Sequence, residues 1–280
     1  MIDLHTHSTA SDGTDSPEHV AELAAQAGCR AFALTDHDTL VGLTAAGRRA
    51  AELGVELVAG CEVSCAFAGQ SIHVLVYFVF DGEGPLQDEL ARLRTDRVTR
   101  NRVMAEKLSA LGLPITYDEA VAEAAGEDSV GRPHFATVLV RNGAAESLPD
   151  AFDRYLAEGR PGYVEKARVN PAEIAAKATG SGGVAVLAHP LTLGLDRGDL
   201  ARAVGELADA GLGGIECYYG RYSHDQRVGL AELAKQFDLV ATGGSDHHGT
   251  VKPDLTVGTG RGDLKVPDAV LDRLAARRPA

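Results

Sequence analysis

Short apolar runs of strand length recur along this chain, and one after another they end in histidine or carboxylate. The first, Met1 to Thr6, leads through His5 to His7, whose side chains share one face of an extended backbone because residues two apart point the same way. Asp12 follows in a Ser-Asp-Gly turn. Further on come Thr35-Asp36-His37-Asp38, Gly60-Cys61-Glu62, Ile72-His73, Ala188-His189-Pro190 and Ser245-Asp246-His247-His248. Helix-like segments lie between these runs, which is the alternation of an α/β domain with a largely parallel sheet.

A single histidine in an apolar segment is more often a hydrogen-bonded core residue than a ligand. The whole set reads differently. Imidazole and carboxylate suit zinc, manganese and iron, whereas structural zinc usually brings cysteine pairs. Cys29, Cys61, Cys65 and Cys217 form no CxxC pair and sit in apolar segments, so they are expected as buried, reduced thiols. The pattern is that of an open hydrolytic site holding several metal ions.

With 280 residues, 45% of them apolar, the chain supports one large α/β domain with room for an inserted subdomain. It begins directly in a strand pattern, leaving no space for a cleavable signal, and no apolar run spans a bilayer, so a cytoplasmic protein is expected. The net charge of −13 argues against a binder of long nucleic acid that relies on a broad basic surface. A small anionic substrate is compatible with that charge, because bound divalent cations and a few arginines reverse it locally.

Element by element, a helix from Pro17 to Gly28 has Ser16 as its N-cap, and a strand runs from Ala31 to Thr35. A helix from Leu40 to Leu53 stops at Gly54. Strands Glu56 to Cys65 and Ser71 to Phe80 are expected to form a hairpin centred near Phe67 and Ala68, which sets Glu62 opposite His73. Residues 84–164 turn helical and charged and read as an inserted subdomain or lid, leaving 1–83 and 165–280 for the strand-and-helix domain. The alternation then resumes with helices Pro171 to Thr179, Asp199 to Ala210 and Ser223 to Phe237, and strands Gly183 to Ala188, Gly214 to Tyr219 and Leu239 to Thr242. A short strand at Thr256 to Gly258 and a helix from Pro267 to Ala276 close the chain.

In order, His5-x-His7 with Asp12, Thr35-Asp36-His37, Gly60-Cys61-Glu62, His73, Ala188-His189-Pro190 and Ser245-Asp246-x-His248 resemble the successive motifs of the PHP family, named for polymerase and histidinol phosphatase. The resemblance covers nearly the whole chain. It implies a distorted (β/α)7 barrel with a mostly helical insertion and with metals at the C-terminal ends of the strands, where barrel loops carry chemistry. It also implies two or three divalent ions, manganese, iron or zinc. The first would be held by His5, His7, Glu62 and Asp246, the second by Glu62, His73 and His189, and the third by Asp12, His37 and His248. Glu62, His189 and Asp246 are then the expected catalytic residues, with Glu62 bridging two ions. Asp36, Asp38 and His247 read equally well as groups that orient the imidazoles or as ordinary turn residues. Glu216 reads as a supporting carboxylate.

Adjacent divalent ions activate water near neutral pH and stabilise the attacking and leaving oxygens of an in-line displacement, so the expected reaction is hydrolysis of a phosphate ester by metal-activated hydroxide. No Walker-type loop or GxSxG elbow competes with that reading. His189 or a metal-bound water would protonate the leaving group. Val130-Gly131-Arg132-Pro133-His134-Phe135 resembles the insert motif of a PHP subgroup acting on nucleoside 3′,5′-bisphosphates, or as 5′-to-3′ exonucleases on short oligoribonucleotides, the RNase AM type. In that reading Arg132 and His134 hold substrate phosphate; taken alone, Gly-Arg-Pro is a helix-start turn. Arg97 and Arg100, one helical turn apart, are further candidates, and Lys166 and Arg168 weaker ones. Tyr218 and Tyr219 could stack a base, though core packing accounts for them as well. The expected partner is a small phosphorylated nucleotide or short oligoribonucleotide, with no long nucleic acid, membrane or obligate protein partner. The rivals are a histidinol-phosphate phosphatase and a non-catalytic or polymerase-associated PHP module.

Overall fold

The computed structural model describes residues 1–124 and 126–279. Seven strands lie side by side in chain order: β1 (Ile2–Thr6), β2 (Ala31–Leu34), β3 (Glu56–Phe67), β4 (Gln70–Tyr77), β5 (Val184–Leu187), β6 (Gly214–Tyr219) and β7 (Val240–Gly244). Only β4 runs against its neighbours; the other pairings are parallel. Just past β7 the chain returns to β1. The Asp246 N–H donates to the His5 carbonyl at 2.8 Å and the His7 N–H to the His247 carbonyl at 2.9 Å, which nearly closes the sheet into a barrel at the C-terminal end of its parallel strands.

The helices are α1 (Pro17–Gln26), α2 (Leu43–Leu53), α3 (Pro85–Ala110), α4 (Tyr117–Glu123), α5 (Arg132–Arg141), α6 (Leu148–Ala151), α7 (Pro171–Gly180), α8 (Arg197–Asp209), α9 (His224–Gln236) and α10 (Ala269–Ala275). Their starts follow local chemistry. Ser16, Thr116, Asn170, Asp196 and Ser223 each accept a backbone N–H of the first turn, and proline stands early in α1 and α7, where no intrahelical donor is needed. Gly54 ends α2 in the left-handed conformation at φ 70°.

By compactness the chain divides into Met1–Leu90 with Arg168–Ala280, and Ala91–Ala167. In the first unit, Ile2, Leu4, Ala31, Ala33, Val58, Leu75, Tyr77, Val184 and Val186 form a core closed by Leu264, Val266 and α10. Each fully buried leucine or phenylalanine side chain stabilises the fold by about 1.5–3 kcal/mol. Asp3, His5 and His7 alternate with these apolar residues on the other face of the first strand and its extension, as period-two geometry requires. In the second unit, Met104 and Leu108 of α3 pack with Ala120 of α4, Phe135, Val138 and Leu139 of α5, and Leu156. No helix among the described residues is long and apolar enough to cross a membrane.

Two local expectations are corrected. The β3–β4 hairpin turns at Ala68-Gly69, so Phe67 pairs with Gln70, Ser64 with His73 and Glu62 with Leu75. Ala68 and Gly69 both take positive φ, the type I′ pattern of a two-residue hairpin, and that turn rather than one centred a residue earlier fixes the register. A shift of two preserves side-chain parity, so Glu62 and His73 still share a face as diagonal neighbours. Residues 256–258 are no strand; Thr256 makes one bridge to Gly260, and two positive-φ glycines at 258 and 260 fold the segment into a turn.

Candidate metal centre

His5 and His7 lie at the end of β1, Asp12 in the loop beyond it, His37 after β2, Glu62 within β3, His73 within β4, His189 after β5, and Asp246 and His248 after β7. These nine come together at the strand ends, five of the imidazoles around Glu62. Its Oε2 stands 3.3 Å from His5 Nε2, 3.1 Å from His7 Nε2 and 3.2 Å from His37 Nδ1, while Oε1 stands 2.9 Å from both His73 Nδ1 and His189 Nε2. Asp246 Oδ1 lies 3.5 Å from His5 Nε2 and from His7 Nε2, and 3.3 Å from His248 Nδ1. Asp12 lies 3.3 Å from His248 Nε2 and 3.8 Å from both His37 and His7.

Donor atoms close enough to share an ion fall into three groups: His5, His7 and Asp246; His37, Glu62 and His73; and His7, Asp12, His37 and His248. His7 and His37 thus each reach two groups, which spacing along the chain does not show. Two observations fit a cation. His5 Nε2 and His7 Nε2 lie 3.1 Å apart and both approach Glu62 Oε2 and Asp246 Oδ1, and buried His7 Nδ1 has no hydrogen-bond partner. A nitrogen-and-oxygen donor set of this kind accepts zinc, manganese or iron.

The electrostatics agree. Burial would push the carboxyls of Glu62, Asp12 and Asp246 upward, yet all three sit well below the usual range, Glu62 through His37, His73 and His5, Asp12 through His37 and His248, and Asp246 through Lys252 and His248. His5 and His7 divide. Burial depresses both, but Glu216, Glu62 and Asp246 carry His5 well above its ordinary value, while His248 and His37 add to burial and leave His7 well below it.

A second tier of contacts fixes these groups. Glu216 Oε1 lies 2.9 Å from His5 Nδ1 and its Oε2 accepts the His189 backbone N–H at 2.8 Å, so the supporting role read for Glu216 has a geometry. Asp36 accepts from the Ser8 N–H and hydroxyl and from the Ser11 hydroxyl, bracing the loop that carries Asp12. Asp38 accepts from the Ser64 N–H and hydroxyl. His247 faces away, with Nε2 2.8 Å from Asp15 and Nδ1 2.8 Å from the Leu255 carbonyl. His189 and Asp246 take positive φ, 24° and 59°, strained values for non-glycine residues that cost about 1–3 kcal/mol each. Glu216 and the His5 carbonyl hold their respective N–H groups, which pins that backbone.

Asp3 and Lys252, and the hydrogen bond that Tyr219 makes, escape a reading of the sequence. Asp3 accepts from the backbone N–H groups of His5, Ser245 and Gly258, tying β1 to the segment after β7. Its signal was a carboxylate on the same strand face as His5 and His7. The Tyr219 hydroxyl donates to Asp246 Oδ2 at 2.7 Å, and Lys252 Nζ donates to the same oxygen at 2.6 Å. Neither has a local sequence signal. Tyr219 packs its ring on His189 and Tyr222, whereas Tyr218 packs against the core.

Gly131 is the N-cap of α5, Arg132 its first residue, and His134 Nδ1 accepts the Gly131 N–H at 2.9 Å, so Gly-Arg-Pro does build a helix start. The Arg132 guanidinium carbon lies 5.8 Å from the ring centroids of both Phe152 and Tyr163. Arg97 and Arg100 are buried, 7% and 9% exposed, so this face of α3 is no solvated charge run. Arg100 donates to the Asn101 side-chain oxygen, and Asn101 in turn donates to the Val130 carbonyl. Lys166 and Arg168 flank the division between the units and lie outside the converging nine.

A nearly closed, mostly parallel barrel that gathers imidazoles and carboxylates at the C-terminal ends of its strands is the arrangement of a metal-dependent hydrolase. The PHP domain model matches residues 3–157, and the chain belongs to the PHP family. It is 34% identical to a 3′,5′-nucleoside bisphosphate phosphatase of Chromobacterium violaceum over 88% of this chain and 87% of that one. A 5′-3′ exoribonuclease of Haemophilus influenzae is 36% identical, over 88% of this chain and 89% of its own. Among solved structures, a Bifidobacterium adolescentis protein assigned as a metal-dependent phosphoesterase superposes with a TM-score of 0.87 at 30% identity, covering 100% of this chain and 96% of that one.

Proposed function

We propose that this enzyme removes the 3′-phosphate of nucleoside 3′,5′-bisphosphates and trims short 5′-phosphorylated oligoribonucleotides from the 5′ end. One site serves both, because each reaction attacks phosphorus at the 3′ position of a nucleotide whose 5′-phosphate is held. Water oxygen bonds to phosphorus, the bond from phosphorus to the 3′ oxygen breaks, and that oxygen leaves with a proton. The observation that carries the reading is that Glu62 divides its two oxygens between two sets of imidazoles, the arrangement needed to space adjacent divalent ions. The names of the relatives from C. violaceum and H. influenzae support the substrate class.

His5, His7, Glu62 and Asp246, then Glu62, His73 and His189, then Asp12, His37 and His248 are the proposed ligand sets for two or three ions, manganese, iron or zinc. Bound there, such ions supply Lewis-acid activation of water and neutralise phosphoryl charge. Glu62, His189 and Asp246 act by holding that spacing, and Glu216 and Asp36 keep the ligands oriented. Arg132 and His134, with Arg97 and Arg100 and more weakly Lys166 and Arg168, are the proposed contacts to the phosphate that is not cleaved. A cytoplasmic location belongs to the same reading, supported by the burial of all four cysteines.

Turnover of adenosine 3′,5′-bisphosphate, a 5′-phosphorylated dinucleotide and histidinol phosphate by the manganese-loaded protein tests the assignment. The first two are expected to be hydrolysed, the bisphosphate to adenosine 5′-phosphate. Hydrolysis of histidinol phosphate alone would overturn it in favour of the rival phosphatase.

A further inference from the structure

Lys252 follows the short turn Gly249–Val251 beyond β7 and places its ammonium 2.6 Å from Asp246 Oδ2. The Tyr219 hydroxyl donates to that same oxygen, while Asp246 Oδ1 faces His5, His7 and His248. Asp246 therefore splits its oxygens, one toward the ring nitrogens and one toward Lys252. The Lys252 ammonium sits directly against a carboxylate of the centre. A quarter of the side chain, 26%, is exposed, which leaves it accessible from solvent.

A fixed cation among carboxylates that hold divalent cations works against those cations, because like charges at such separations repel. A neutral donor would satisfy Asp246 Oδ2 without that repulsion, and Tyr219 already supplies one. The placement of an ammonium is accounted for by an anion that arrives from solvent. Lysine is a compact point charge with three donors, suited to a phosphoryl oxygen that also faces metal ions.

We propose that Lys252 is a substrate-contacting residue of the barrel, its ammonium donating to a non-bridging oxygen of the phosphoryl group under attack and to the phosphate released. The assignment rests on the phosphoesterase reading above and names the residue of this centre that meets the anion directly. It differs from a purely structural clamp on Asp246 in what replaces the lysine successfully. Arginine keeps the positive charge, glutamine keeps a neutral donor, and methionine keeps only the length.

Inorganic phosphate binding, measured by calorimetry on manganese-loaded protein of verified metal content, separates these roles. Lys252→Met and Lys252→Gln are expected to bind phosphate at least about 10-fold more weakly than wild type, the scale of one lost charge-assisted bond, with Lys252→Arg recovering most of the loss. Metal affinity in Lys252→Met, measured by chelator competition, is expected to be unchanged or tighter, because a repelling cation has gone. Equal phosphate affinity in wild type and Lys252→Met at full metal content would overturn the assignment alone. Weaker metal binding in Lys252→Met, with phosphate affinity falling only in step, would also overturn it and leave the lysine as a clamp on Asp246. A loaded wild type that binds no phosphate and cleaves no phosphate ester would overturn both this assignment and the reading beneath it.

Discussion

Glu216 Oε1 lies 2.9 Å from His5 Nδ1, both groups fully buried, and the other Glu216 oxygen accepts the His189 backbone N–H. A carboxylate accepts at both ends, so His5 donates from Nδ1 and turns Nε2 toward the centre. Glutamine cannot do this: its one oxygen serves either His5 or His189, and its NH2 group meets a second donor or forces the other tautomer. Glu216→Gln is therefore expected to weaken metal binding about 10- to 100-fold, the usual cost of removing a ligand's supporting partner. Chelator competition on the purified variant measures it. Wild-type affinity would show that His5 needs no such support.

Glu62→Gln tests the centre itself. Both Glu62 oxygens face imidazoles, three on one side and two on the other, so the substitution strikes every proposed ion that Glu62 touches. The fall in kcat is expected to exceed that of His73→Ala and the roughly 10- to 100-fold cost of losing a supporting residue. Turnover close to wild type at measured metal content would remove Glu62 from its bridging role.

For Arg132→Ala, selectivity is the quantity to measure. Substrates carrying a 5′-phosphate are expected to slow by at least about 30-fold, or 2 kcal/mol, the lower end for a charge pair left without its partner. Substrates lacking that phosphate start slow and change little. Equal slowing of both classes would show that Arg132 serves the fold of its helix start, not the uncleaved phosphate.

Gly244 is a packing constraint on the site. A Cβ built there falls 2.4 Å from His5 Cβ and 2.4 Å from the His5 nitrogen, closer than real side chains approach. Gly244→Ala must push β7 from the strand bearing His5, at about 1–3 kcal/mol. Denaturant unfolding and metal stoichiometry are expected to fall together. Unchanged values of both would show that the strands adjust without moving the ligand.

Stability of the smaller unit has a pH signature at Glu119. Hydrogen bonds first from the Asn142 side chain and then from Thr116 hold this carboxyl down at about 2, against an ordinary value of 4.5. A depressed carboxyl stabilises the fold fully above its unfolded value, and that contribution disappears as pH falls from about 4.5 toward about 2. The destabilisation caused by Glu119→Ala at pH 7 is expected to narrow by pH 3.5 in urea titrations followed within this unit. A difference that stays constant over that range would assign the effect to lost packing.

The strand-and-helix alternation, the seven strands and the histidines and carboxylates at their ends were legible in the sequence, because period-two burial, proline and serine caps, and histidine after an apolar run are local chemistry. His5 and His7 share a face for that reason, and Ser16, Asn170 and Ser223 sit within one residue of the helices they start. Tertiary structure decided what depends on closure. The positive-φ pair at Ala68 and Gly69 set the hairpin register two residues from the expected one, and only the return of β7 to β1 brings Asp246 and His248 within 3.5 Å of groups some 240 residues away in sequence. The sharing of His7 and His37 between donor groups, the double acceptor at Glu216, and the approach of Lys252 and Tyr219 to one oxygen of Asp246 belong to the same class. Each is a distance across the barrel rim, set by strand order and strained backbone at His189 and Asp246, and a periodicity along one strand carries no information about it.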